Sequence, residues 1–348
     1  MAQMVAAEDI YASNKTMVKK FMSMRLSIIT INYNNASGLR KTLASVASQT
    51  YPNVEHIIVD GGSTDGSIDV IRDYENTIKQ SVTINQSSIQ VKWVSEPDNG
   101  IYNAMNKGIE IALGKRVVNA FNRSEQREDK HSEADRPEGT GAENKELCDY
   151  IQILNSGDIL AAPDVTERMV AALRQIDDRC IDDRLTSVPI LYGNMIKQWP
   201  DGRRAQDKCE AGHLSMLSFY HGTLNHDCAY IKRDLFDKFG LYDENLKIVS
   251  DWKWYLQAIP LGGITPIYVD IDVTIFDMTG VSESNTAFWK VERRPVLEAL
   301  IPPMILADYD KYCEDMRMVD RLRKHHLYGL VYFIERVLFK LEKWKILR

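Results

Sequence analysis

The sequence predicts an α/β fold: a mainly parallel sheet flanked by helices, with a helical extension at its C-terminal end. Three observations predict it. Short β-branched apolar runs alternate with amphipathic helical stretches, the pattern of a sheet built from strand-helix-strand units. The runs are apolar almost throughout rather than at every second residue, as expected of strands buried on both faces. Each run also ends in a cluster of Asn, Asp, Gly and Ser, which gathers polar groups at the sheet edge where open parallel sheets bind ligands.

The elements follow in order. Leu26 to Asn32 (LSIITIN) reads as the first strand. Residues 37 to 49 then put Leu39, Leu43, Val46 and Ala47 on one face behind a Ser37 cap, which makes a helix. Val54 to Asp60 (VEHIIVD) is the second strand, Ser67 to Tyr74 opens the second helix, and Val91 to Ser95 (VKWVS) is the third strand. Ile101 to Leu113 forms the third helix, cored by Ile101, Met105 and Ile109, and Tyr150 to Leu154 the fourth strand. Strands and helices alternating at this pace imply parallel pairing with right-handed crossovers. Between Lys115 and Leu147 the periodicity gives way to a charged stretch poor in apolar residues, read as a mobile insertion over 115–148. Beyond about Arg293 the pattern is entirely helical. The expected organisation is an N-terminal extension (1–24), a main domain (25–290) and a C-terminal helical segment (291–348).

Composition excludes several classes of function. A chain of 348 residues with a net charge of −6 has no global basic field to recruit nucleic acid. Its five cysteines are scattered without CxxC spacing, which argues against a disulfide framework or structural zinc and for a reducing cytoplasm. The first residues lack the basic flank and long apolar core of a secretory signal, and no apolar run approaches the roughly 18 residues of a membrane span.

Four strand ends collect the candidate site residues: Asn32-Tyr33-Asn34-Asn35, Asp60-Gly61-Gly62-Ser63-Thr64-Asp65, Glu96-Pro97-Asp98-Asn99-Gly100, and Asn155-Ser156-Gly157-Asp158. Each alone reads equally well as turn and cap chemistry; four at one edge make a site. No GK[ST] follows the glycines, so this is not a Walker loop.

The stretches LSIITINYNN, SVASQTYPNVEHIIVDGGSTDGS, WVSEPDNGIYNAMNKGI, YIQILNSGDIL and KIVSDWKWYLQA resemble the family 2 glycosyltransferases of GT-A fold, in particular the bacterial polysaccharide and colanic-acid type. The resemblance covers about Leu26 to Ile275. It implies transfer of a sugar, with inversion, from a nucleotide-sugar donor to a hydroxyl of a glycan or lipid-linked acceptor. It implies donor contacts from Asn32, Tyr33, Asn34, Asp60, Gly62, Asp98, Asn103, Lys107, Asn155, Ser156, Gly157 and Asp158. Asp60 would accept from a base N–H, uracil above all, and Gly61 with Gly62 would admit the backbone close to the nucleoside. Asp98 would lie near the nucleoside and Lys107 would approach a phosphate, while Asp65 reads as a helix cap. Asp158, in NSGD rather than the commoner pair of aspartates, would hold Mg2+ or Mn2+ at the diphosphate, with His226 a second candidate ligand. Asp251 would be the general base, and Trp252 and Trp254 an acceptor-side wall or core packing.

Within residues 321–348 a broad apolar stripe (Leu330, Val331, Ile334, Val337, Leu338, Leu341, Trp344) runs beside basic residues. That suits peripheral contact with the inner face of the cell membrane; docking on the main domain or on a second copy in a homodimer explains the same pattern. Two other activities fit parts of the pattern. A sugar-phosphate nucleotidyltransferase would want a basic Gly-rich loop after the first strand, which SIITINYNN lacks, and the reduced NSGD motif suits a non-catalytic nucleotide-sugar-binding subunit.

Overall fold

The structure is a computed structural model that describes residues 24–85, 89–118, 147–179, 188–208, 214–279 and 286–346. Residues 1–23 of the expected N-terminal extension, most of the expected insertion (119–146), Cys180 and Cys209 lie outside the described residues. The chain divides into two compact units, Met1–Trp289 and Lys290–Arg348.

The first unit is built on a sheet of nine strands: β1 (Leu26–Asn32), β2 (Val54–Asp60), β3 (Gln90–Ser95), β4 (Tyr150–Ile153), β5 (Ile159–Leu160), β6 (Ile190–Gln198), β7 (Arg204–Asp207), β8 (Ala229–Lys232) and β9 (Ile267–Asp277). Their spatial order is β3-β2-β1-β4-β8-β6-β9-β5, with β7 beside β6. β3, β2, β1 and β4 are parallel, as the apolar runs predict. The antiparallel strands β5, β7 and β8 are too short for their own sequence signal, and the sheet is mixed beyond β4.

Every residue of β1 and β2 is buried, including Ser27, Thr30, Glu55 and His56, so even their polar side chains must find partners inside. They do: Ser27 donates to Glu55 (2.8 Å), and His56 lies between Thr30 (3.0 Å) and the Tyr74 hydroxyl (2.8 Å). The helices are α1 (Ala36–Ala47), α2 (Ser67–Asn85), α3 (Ile101–Ala112), α4 (Val165–Arg179), α5 (Met216–His221), α6 (Asp234–Phe239) and α7 (Ser250–Leu256). Asn35, not Ser37, caps α1, accepting from the Gly38 N–H at 3.1 Å. Asp65 ties two helix starts together, accepting from the N–H groups of Ala36 (2.8 Å) and Ser67 (3.1 Å).

Register fixes the site. Asn32 lies opposite Asp60, and Asp60 opposite Ser95, so three polar side chains meet in a row where β1, β2 and β3 end.

The second unit continues α8 (Thr286–Leu300) into α9 (Pro303–Lys324) and α10 (Tyr328–Ile346). Pro303 opens α9 at the first helical position, where its missing N–H costs nothing. Arg294 grips Asp310 with Nη1 2.8 and 2.9 Å from the two carboxylate oxygens. In α10 Leu330, Tyr332, Phe333, Leu338, Phe339 and Leu341 are all more than half exposed. Among the described residues no helix is long and apolar enough to cross a membrane.

Candidate active site

The row at the ends of β1 to β3 is sealed from within. Asp60 is wholly buried, and its carboxylate accepts from Asn32 Nδ2 (2.8 Å), Ser63 N (2.9 Å), Ser63 Oγ (2.6 Å) and Ser95 Oγ (2.7 Å). Four donors occupy the lone pairs that the resemblance reserves for a base, so Asp60 organises the loop instead of facing a ligand. Asn32 is buried with it, and Asn34, at φ 49°, holds the same loop by accepting from Thr64 N at 2.8 Å.

The open groups lie just outside this row. Tyr33 is 65 % exposed, and beside it the half-buried Asp98 accepts from Gly100 N at 2.9 Å with one oxygen. Its other oxygen rests on Gly61, where a Cβ would stand 2.4 Å from Oδ2 and 3.1 Å from the Tyr33 ring. A side chain at Gly61 would displace the Asp98 carboxylate from this position. Gly62 is required by its backbone, at φ +79°.

α3 has a different task from the one the resemblance implies. Lys107 is buried, its ammonium held by Glu96 (2.8 Å) and the Pro97 carbonyl (2.9 Å), so it braces the Glu96–Gly100 loop and does not reach for a phosphate. Arg116 joins the same Glu96 oxygen at 2.6 Å, and these partners hold the Glu96 carboxyl below its ordinary range despite partial burial. Asn103 donates to Glu244 at 2.8 Å rather than to a donor. Asn106 exchanges two hydrogen bonds with the Tyr242 backbone, both 2.9 Å, and reaches the other Glu244 oxygen at 2.8 Å. The helix thus braces the donor-side loop at one point and the segment leading to Asp251 at others.

The NSGD turn is set by Thr42 of α1, whose hydroxyl donates to the Asp158 carbonyl (2.7 Å) and accepts from Gly157 N (2.9 Å). Gly157 sits at φ +112°, a conformation that disfavours side chains. The Ser156 carbonyl accepts from Asn35 at 3.1 Å. Asp158 is buried and takes the Asp277 N–H at 2.9 Å. Burial, then the charge of the equally buried Asp227, pushes its carboxyl well above the usual carboxylate range.

Asp251 lies in the first turn of α7. Tyr102, from α3, donates its hydroxyl to Asp251 Oδ1 at 2.8 Å, and His226 Nδ1 stands 3.4 Å from Oδ2. The other ring nitrogen of His226 meets the Asn155 amide at 3.1 Å, so one chain of contacts runs from Tyr102 through Asp251 and His226 to the NSGD turn. Burial alone would raise the Asp251 carboxyl; the hydrogen bond and charge of His226, with Tyr102 and the Trp252 N–H, bring it below the ordinary range. Burial alone would lower His226, but Asp251, Asp227 and Asp158 together push it up to about 9. The pairing thus favours the ionised carboxylate and the charged imidazole. Both keep a window to the outside, 13 % of the Asp251 side chain and 16 % of His226.

Whether these residues suit a divalent cation depends on the donor set. His226 stands 3.1 Å from the Asn155 amide and 3.4 Å from Asp251 Oδ2, so it would have to give up one of these contacts to hold a metal. Asp158 does fit, as a hard oxygen ligand whose buried carboxyl gains from a cation that replaces its proton. Among the described residues no group of three or more His, Cys, Asp or Glu could hold an ion, so most ligands would have to come from the diphosphate and water. Trp252 and Trp254 are core: both are buried, donating to the carbonyls of Phe219 (2.6 Å) and Gly240 (2.8 Å). Sequence reasoning missed Tyr102, Asp227 and Glu244, whose partners lie far away in the chain; the only local hint was the Tyr and two Asn in IYNAMNKG.

Residues 27–120 match the model of glycosyl transferase family 2. The chain is similar to an uncharacterized glycosyltransferase of Mycobacterium tuberculosis, 26% identical over 283 residues, which is 80% of this chain and 85% of the relative. It is 22% identical over 260 residues to a PGL/p-HBAD biosynthesis glycosyltransferase of Mycobacterium bovis, covering 75% and 79% of the two chains. Among solved structures it is similar in fold to S. aureus TarS, with a TM-score of 0.50 and 16% identity, over 82% of this chain and 42% of the TarS chain. The curled, mixed sheet flanked by helices is a GT-A fold; its first strands and helices carry the glycosyl transferase family 2 segment, and relatives along most of the chain are named glycosyltransferases.

Proposed function

We propose that the protein is an inverting glycosyltransferase, moving a sugar from a UDP-linked donor to a hydroxyl of a glycan or lipid-linked acceptor in polysaccharide assembly at the cell envelope. The observation that carries the reading is Asp251, an ionised carboxylate with an open edge, coupled through His226 to the end of β4. In the reaction the acceptor oxygen attacks the anomeric carbon from the face opposite the diphosphate. The bond from that carbon to the β-phosphate oxygen breaks, the nucleoside diphosphate leaves with the bonding pair, and the acceptor's proton passes to Asp251. A carboxyl held below its usual range is a weak base. That suits a step in which the hydroxyl becomes acidic only as its new bond forms.

On the donor side Tyr33 offers a ring for the base and Asp98 an acceptor for its N–H, the role that the sealed Asp60 cannot fill. Asp158 would hold Mg2+ or Mn2+, which would supply positive charge to the departing diphosphate. Replacing Asp251 by Asn tests the reading. UDP release from a panel of UDP-sugars should fall on the order of a thousandfold while UDP affinity in calorimetry stays unchanged. Release at the wild-type rate sinks the assignment.

Residues 321–348 carry eight Lys or Arg against two Glu, leaving 35 against 47 Asp or Glu in the other 320 residues. With the exposed apolar side chains of α10, this suits an anionic lipid surface, where each basic residue contributes about 1 kcal/mol. Full-length protein should cosediment with phosphatidylglycerol vesicles at low salt; protein that stays in the supernatant, dimeric, assigns the face to a second copy.

A further inference from the structure

We propose that Tyr102 and His226 are positioning residues, which hold the Asp251 carboxylate between them in the one orientation that receives the acceptor's proton. The inference rests on the reading of Asp251 as general base and adds the two groups that make it effective.

Asp251 is badly placed to hold itself. It stands in the first turn of a seven-residue helix. The segment before that helix, from Leu241 to Val249, has no regular structure. An aspartate there has three staggered χ1 wells and a freely turning carboxylate. The two partners reach it from different elements. Tyr102 is fixed on α3, almost wholly buried, with its ring 5.7 Å from that of Tyr242. Burial and the charge of Asp251 keep its hydroxyl protonated far into the alkaline range, so it is always a donor. Its 2.8 Å bond takes one lone pair of Oδ1. His226 opens the short turn His226–Cys228 before β8 and faces Oδ2. It is fixed in turn by Asn155 at 3.1 Å. Each carboxylate oxygen is therefore met by a separate element, and 13 % of the side chain stays open.

The Tyr102 hydroxyl also meets the N–H groups of Ser250 and Asp251, so it fixes the start of α7 together with the carboxylate, while His226 also faces the buried acids Asp227 and Asp158. Asn103 and Asn106 already moor the Tyr242–Glu244 segment to α3 through Glu244 and the Tyr242 backbone. Tyr102 reaches past them to the carboxylate itself. A reacting group displaced by about an ångström can cost on the order of a hundredfold in rate, so a lost tether should act on turnover and not on donor binding.

The test is a mutant cycle on the full chain: Tyr102→Phe, His226→Gln and Asp251→Asn singly, and each of the first two combined with Asp251→Asn. UDP release from a turned-over UDP-sugar gives kcat and donor KM, and calorimetry gives UDP affinity. Tyr102→Phe removes one oxygen and keeps the packed ring, and His226→Gln approaches from the other side, so the two variants check each other against misfolding. Each should lower kcat roughly ten- to a hundredfold, with KM and UDP affinity within about twofold, and neither should lower it further once Asp251 is Asn. Equal losses in both backgrounds, or a loss confined to KM, would overturn the positioning role while leaving Asp251 as base. A wild-type rate for Asp251→Asn overturns base and positioning together.

Discussion

Asp60 and Asp251 are both carboxylates at the edge of one sheet domain, and both are rich in hydrogen bonds. The first has four protein donors and no exposure; the second has three partners, Tyr102, His226 and the Trp252 N–H, and 13 % of its side chain open. Both are largely enclosed by protein, and the number of hydrogen bonds does not by itself say which can act. What separates them is whether a lone pair is left over. Asp60 is spent on its own loop, whereas Asp251 is held and still has an edge to offer.

The comparison can be broken in a definite order. The largest effect belongs to Asp251→Asn, whose loss of turnover, on the order of a thousandfold, should far outweigh its loss of stability. Asp60→Ala should do the reverse. Four buried donors lose their acceptor, so stability should drop on the order of 3 kcal/mol in urea unfolding. Asp98→Ala should leave stability within about 0.5 kcal/mol and weaken UDP binding by about 1–3 kcal/mol. A folded, stable Asp60→Ala with weakened UDP binding, or an Asp98→Ala that binds UDP normally, would return the base-reading role to Asp60.

The smallest effect is a pH dependence. His226 is raised from 6.5 to about 9, so its contribution to stability is complete below about pH 6.5 and is lost as pH rises through about 9. Asp251 has the opposite sign: its carboxyl is lowered, so its contribution is present above the usual carboxylate value and vanishes only in acid. Stability in urea unfolding should therefore decline between about pH 6.5 and 9, with His226 contributing no more than about 1.4 kcal/mol per pH unit, and His226→Gln should make the decline shallower, leaving the part that Asp158, raised to about 8, contributes below about pH 8. A decline that is unchanged in the variant assigns it to other groups.

Much of this was legible in the sequence. Strands β1 to β4 announce themselves because apolar, β-branched runs are local signals, and the register that aligns Asn32, Asp60 and Ser95 follows from strands ending together. Partners are not local. Nothing near Asp60 shows that Ser95 and Asn32 will consume its lone pairs, and nothing near Lys107 shows that Glu96 will claim the ammonium before a phosphate can. His226 looks like a free histidine until the fold surrounds it with Asp251, Asp227 and Asp158. Residue types at a site could be read from the chain; which of them still have a lone pair or a proton to give depends on distant neighbours.

The bonds that define the site span long stretches of chain: 149 residues from Tyr102 to Asp251, 119 from Asp158 to Asp277 and 71 from Asn155 to His226. Closing such loops is slow, because chain entropy is lost before the contact is made. On a ribosome, β1 to β4 emerge together and can pair early, while Asp158 waits for the N–H that arrives with the end of β9. A growing chain can therefore form the parallel half of its sheet long before Asp251 meets Tyr102 and Asp158 meets the Asp277 N–H.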